Sequence, residues 1–162
     1  MEGCSWARTN SYTEKLVSKA AREKLFEDSY WHILLHYKPK LTGGVESLVD
    51  DPDFFMAADG KFNPEAEMKA TIRSFFEPLE TGRKHPVCRF IARFSWLVEK
   101  LPIDAGKLPV SECEDFENLV EEIKPESVSL VFPAAFMNSP ASMFGHTLLT
   151  FDTKQESKLL SH

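Results

Sequence analysis

Residues 127–152 constrain the fold more than any other stretch, because there the chain leaves helical spacing for an extended pattern. Val128, Leu130 and Phe132 alternate with Ser127, Ser129 and Val131, and Thr147 to Phe151 resume an extended run. Between the two lies a turn-rich insert holding Pro133, Asn138, Ser139 and Pro140. Strand, polar loop, strand is the expectation. His146 stands where the insert re-enters the second strand. A histidine at such a junction is held by a rigid element yet faces open space, which suits a general base or a metal ligand. Gly145 before it lets the backbone turn or another group approach. Asn138, Ser139 and Ser142 are placed to support such a loop through hydrogen bonds, although as turn residues they also satisfy their own backbone. The pattern alone leaves His146 open between catalytic base and structural histidine.

Upstream, the periodicity is helical. Ser11-x-x-Glu14 reads as a capping box for a helix over 12–27, with Leu16, Val17, Ala20, Ala21 and Leu25 at helical spacing. Asp28 or Ser29 caps a second helix that must end before Pro39. His32 and His36 stand four apart in it, as in metalloprotease helices, but no glutamate lies between them to activate a water, so a core or groove-lining role is preferred. Residues 40–61 read as loop, where Asp50, Asp51 and Asp53 fit turn or capping roles better than a calcium loop. Asn63-Pro64 opens a third helix. Val87 to Leu101 carry the clearest apolar stripe, and Arg89 and Arg93 on another side read as a solvated face or, alternatively, an anionic-headgroup site. Ser111-x-x-Glu114 is a second capping box, ahead of Phe116, Leu119, Val120 and Ile123.

The formal net charge of −6 and the absence of a basic stripe argue against a nucleic-acid partner. No apolar run approaches the length of a membrane span, and no signal peptide is visible. Cys4, Cys88 and Cys113 are odd in number and far apart, so neither a disulfide framework nor a zinc site is expected, and the redox compartment stays undecided. Cys88 reads as a small buried apolar residue. Cys113, in the first turn of its helix, is the best internal position for a nucleophile, although Glu112, Glu114 and Asp115 oppose its ionisation.

Phe132-Pro133-Ala134-Ala135-Phe136, then Asn138, Pro140, Ser142 and Phe144-Gly145-His146-Thr147, resemble the signature of the Lnb N-terminal periplasmic domain family. The likeness extends upstream to Trp31 through Tyr37, Asp53-Phe54-Phe55, Gly60-Lys61 and Pro64 through Glu67, covering the chain from about Ser11 onward. It implies a thiol-dependent acyl-transfer domain, similar in layout to permuted papain-like folds, in which the histidine precedes the nucleophilic cysteine. The named member of the family is a lipoprotein N-acyltransferase, and relatives carry a secretory signal, which implies the periplasm or the outer membrane as location. The family's cysteine lies downstream in an Asn-Cys dipeptide, whereas the sixteen residues after His146 hold none. Thr150 also stands where relatives commonly carry a basic residue.

The fold expectation is therefore α+β, with about five helices followed by the first strands of a truncated antiparallel sheet. The domain expectation is a helical module over 11–124 and the start of an Lnb-like catalytic domain over 125–162. The functional expectation is the N-terminal fragment of an acyltransferase acting on lipoprotein or phospholipid acyl groups, inactive without the missing C-terminal part of its own domain. It would need no cofactor and no metal. The site would comprise His146 as base, with Asn138, Ser139, Ser142 and Gly145 in support. The alternative is a non-enzymatic binding or assembly module of the envelope.

Overall fold

Asn63 and Pro64 show how closely local sequence sets the elements of this chain. The Asn63 side chain accepts from the Ala66 N–H, and Pro64 starts the helix where its missing N–H is not needed. The computed structural model describes residues 3–78, 84–110, 112–132 and 147–153, with side chains from residue 11 onward. Six α-helices and two small antiparallel sheets make it an α+β protein among the described residues. It divides into two units, Met1–Cys113 and Glu114–His162.

In the first unit, α1 spans Gly3–Arg22, α2 Ser29–Leu34, α3 Pro64–Ser74, α4 Pro86–Arg89 and α5 Ile91–Lys100, with a hairpin of β1, Tyr37–Pro39, and β2, Val45–Ser47. The first helix thus begins well before the expected cap at Ser11, since residues 3–10 contain no proline and an established helix propagates cheaply. It ends at Arg22, and a 3-10 turn, Leu25–Glu27, follows Lys24, whose φ is 52°. The second helix also stops early. His36 adopts φ 56°, which ends helical geometry and feeds Tyr37 into a strand, so the hairpin occupies residues expected as helix end and loop. The apolar stripe at 87–101 is two helices, because Phe90 (φ −121°, ψ 50°) leaves helical geometry between α4 and α5.

Leu16, Val17 and Ala20 of α1, Met68 and Ile72 of α3 with Phe75 after it, and Trp96 and Leu97 of α5 form one buried core around Trp31 and Leu35. Trp31 stacks on Trp96 with centroids 5.6 Å apart and donates its indole N–H to Pro64 O at 3.2 Å. On the surface, Arg73 of α3 grips Glu14 of α1 with two hydrogen bonds, 2.6 and 3.0 Å.

Cys88 and Cys113 form a disulfide, Cα atoms 5.3 Å apart. This corrects both cysteine readings: neither is a buried free thiol or a nucleophile. The bond closes a loop with a sequence separation of 25. In the chain-entropy account such a closure stabilises by about 3 kcal/mol. Cys88→Ser/Cys113→Ser should therefore lower the unfolding free energy by roughly that amount in urea titration, and unchanged stability would show the link to be energetically idle.

Among the described residues four carboxyl groups sit below their ordinary range: Glu14 through its hydrogen bonds from Arg73, Asp50 through Lys61, Asp104 through Lys107, and Asp152 through the Ser127 and Ser129 hydroxyls. A folded-state pKa below the unfolded value gives stability that is present above the unfolded pKa and lost as pH falls through the folded one. Melting temperature should hold down to about pH 4, near the unfolded carboxyl values, and decline below it. These pairs are solvent-exposed, so the slope should be shallow and flatten further in high salt.

In the second unit, α6 runs Glu114–Ile123, β3 Pro125–Val131 and β4 Leu148–Thr153. The strands pair antiparallel from Val131↔Leu148 to Pro125↔Thr153, with one irregularity between Pro125 and Ser127. Because side chains alternate, Val128, Leu130, Leu149 and Phe151 share one face, and Ser127, Ser129, Thr150 and Asp152 the other. The polar face is knitted together: Asp152 accepts from Ser127 Oγ at 2.6 Å and Ser129 Oγ at 2.8 Å, and Thr150 Oγ1 donates to Ser129 O at 3.3 Å. The apolar face lies open, all four residues at least half exposed, as are large parts of Phe116, Leu119 and Val120 on α6.

Candidate functional site

The strand pair supplies the frame of the expected site. β3 ends and β4 begins at the register pair Val131↔Leu148, and residues 133–146 connect them. His146, Asn138, Ser139, Ser142 and Gly145 all lie outside the described residues, so the structure neither gathers nor separates them. His146 precedes the first residue of β4 by two positions.

The first unit holds a buried ionic cluster that sequence reasoning missed. Glu67, in the first turn of α3, is completely buried and meets Arg93 of α5, which is 2% exposed, at 2.9 Å. The Glu67 carboxylate also accepts from the backbone N–H groups of Met56 (2.9 Å) and Ala57 (2.8 Å) and from Thr71 Oγ1 (3.3 Å). The second arm of Arg93 donates to Phe54 O at 2.8 Å, and its guanidinium lies 4.3 Å from the Phe54 ring centroid and 4.1 Å from that of Phe90. Burial pulls the Arg93 pKa down to about 10, with Glu67 opposing the fall, so the guanidinium stays charged at neutral pH. Tyr37, whose hydroxyl donates to Gly60 O, is pushed well above the ordinary phenol range by the same burial. A Cβ at Gly60 would run into Glu67 Oε2, which explains the glycine.

Every buried side-chain donor and acceptor in the cluster has a protein partner, so its chemistry is structural: it fastens the 54–60 loop to α3 and α5. Arg93 is therefore neither on a solvated face nor free for an anionic headgroup. Arg89 is exposed and donates to Asp53 O at 2.6 Å. The signal available in the sequence was phase, since Glu67, Thr71 and Ser74 share the buried side of α3 with Met68.

The other expected ligands are likewise engaged or apart. His32 Nε2 bonds Phe26 O at 2.9 Å, while the exposed His36 lies beyond the end of α2, so the two do not share a helix face. Asp51 caps a 3-10 turn through the Asp53 N–H, and Asp50 pairs with Lys61, as a turn role requires. No group of side chains among the described residues could hold a metal ion.

Two family models match the chain. Residues 23–100 match a domain of unknown function, DUF7843, and residues 115–162 match the Lnb N-terminal periplasmic domain. The Lnb segment thus contains most of α6, both strands and the whole 132–147 motif, while the upstream residues from Trp31 to Glu67 fall in the separate DUF7843 match. Asp53-Phe54-Phe55, Gly60 and Glu67 of that match are the residues that build or border the buried ionic cluster. No curated protein and no solved structure matches the chain. No helix among the described residues is long and apolar enough to cross a membrane.

Proposed function

We propose that the Lnb segment contributes the general base of a thiol-dependent acyltransferase acting on lipoproteins or lipids in the bacterial envelope. The observation that carries this reading is the family match over 115–162, which takes in the full Phe132–Thr147 motif with Gly145-His146. In the proposed reaction His146 takes the proton of a cysteine supplied by the remainder of the domain. The thiolate attacks an acyl ester, giving a thioester and releasing the alcohol, which takes the proton. An amine on the lipoprotein then attacks the thioester, an amide forms and the thiol is restored. Asn138, Ser139, Ser142 and Gly145 would shape the loop that holds the imidazole. The open face of Val128, Leu130, Leu149 and Phe151 would be covered by the rest of the domain, which completes the sheet.

A periplasmic or outer-membrane location agrees with the family and with the Cys88–Cys113 disulfide, a bond that persists in oxidising compartments. A second reading, a binding module of the envelope without catalysis, draws on the exposed apolar residues of α6. The intact gene product decides between them when incubated with a phospholipid carrying a labelled acyl chain and a lipopeptide with a free N-terminal amine. Label moving to the peptide, and ceasing to move after iodoacetamide, supports the transferase. No transfer under any condition overturns it.

A further inference from the structure

The β1–β2 hairpin ends in Lys40-Leu41-Thr42-Gly43-Gly44, a tight turn closed by Gly43 N–H to Lys40 O at 3.1 Å and Lys40 N–H to Gly44 O at 3.0 Å. Gly43 (φ 92°) and Gly44 (φ 76°) take the left-handed conformation that such a turn demands, and a Cβ on either would meet nothing within 4 Å. The tip therefore stands clear of the rest of the first unit. At its apex Leu41 is 109% exposed, more than in a free reference peptide, so no neighbour shelters it. Beside it Phe62, about half exposed, carries Lys40 Nζ at 5.3 Å and Lys61 Nζ at 5.9 Å from its ring centroid.

Charge on this patch runs against the chain as a whole. Three ammonium groups, Lys38, Lys40 and Lys61, face two carboxylates: Glu46, which lies 3.5 Å from Lys40 and 3.8 Å from Lys61, and Asp50, which pairs with Lys61. Lys38 sits opposite Glu46 in the strand register. The whole chain has a formal net charge of −6 and would be repelled by an anionic surface in most orientations, so approach with this hairpin leading is electrostatically selected. A projecting apolar tip with an aromatic side chain and lysine stems behind it is also the wrong shape for holding a small molecule, which needs a concave site. It matches a bilayer, where leucine enters the acyl layer, the aromatic ring lies at headgroup depth and lysines reach outward to phosphates.

We propose that the β1–β2 hairpin docks the protein on an anionic phospholipid surface, with Leu41 entering the membrane and Lys38 and Lys40 contacting headgroup phosphates. This docking stands independently of the acyltransferase reading, since it requires no activity. The test is flotation of the 162-residue chain with vesicles of phosphatidylcholine alone or mixed with phosphatidylglycerol. Partition into the mixed vesicles is expected, weakened by salt and by Lys38→Glu/Lys40→Glu. Leu41→Asp should reduce it about tenfold, the worth of burying one leucine side chain. Leu41 touches nothing in the fold, so an unchanged melting temperature of that variant assures that the loss is not unfolding. Because the second unit also exposes apolar side chains, Leu149→Asp serves as the counter-variant and should partition like the wild type. Wild-type partition by Leu41→Asp, loss of partition in Leu149→Asp alone, equal binding to both vesicles, or no binding to either overturns the proposal.

Discussion

Glu67→Gln is expected to lower the unfolding free energy by about 3–5 kcal/mol, the cost of leaving a buried charge without its counter-charge. The substitution barely changes volume, so the effect isolates charge and donor pattern. The carboxylate now accepts from two backbone N–H groups, the Thr71 hydroxyl and Arg93. An amide would turn an NH2 toward groups that are themselves donors, and the guanidinium between Phe54 and Phe90 would keep its charge in a dry site. The exposed pair of the first and third helices gives the contrast. Glu14→Gln loses its charge and one of two good hydrogen bonds yet should cost less than ~1 kcal/mol, because water replaces the lost partner. Glu67→Met/Arg93→Met should recover only part of the single-variant loss, since it removes both charges together but leaves the Met56 and Ala57 N–H groups and Phe54 O without their partners. Urea titration of the three variants measures all of this, and a Glu67→Gln loss under ~1 kcal/mol would show that the two charged groups are not held out of water.

His146→Ala in the intact gene product should reduce acyl transfer by about 10²–10⁴-fold, the usual contribution of a positioned general base, while leaving the fold unchanged by circular dichroism. His146 precedes β4 by two residues and so lies outside the paired stretch from Val131↔Leu148 to Pro125↔Thr153, which is why the variant is expected to fold. A turnover within a few-fold of wild type would remove the catalytic assignment and favour the binding-module reading. The same assay with the hairpin variant Leu41→Asp separates chemistry from docking: presented with a soluble short-chain acyl ester, that variant should react like the wild type.

What the sequence makes legible here is whatever a few adjacent residues decide. Asn63-Pro64 caps and opens a helix by local geometry alone, and the period-two runs around Val128 and Leu149 pair as strands. The 37–47 hairpin escapes such reading, because its strands have three residues each and its turn depends on left-handed backbone at Gly43 and Gly44. The Cys88–Cys113 bond escapes it because three cysteines with no fixed spacing permit every pairing. Glu67 and Arg93 escape it for a different reason. An acid in a first helical turn and an arginine on a helix look like ordinary surface charges, and only the tertiary fold brings two residues 26 apart into contact within the core. The 132–147 motif is the opposite case, recognisable from its residues well before any fold is known.

The covalent link from Cys88 to Cys113 joins the fourth helix to the last residue of the first unit, so the whole of the fifth helix and the segment after it lie inside a closed ring of chain. A protease that cut anywhere within that ring would nick the polypeptide without releasing a fragment. Both halves would travel together until a reductant reached them.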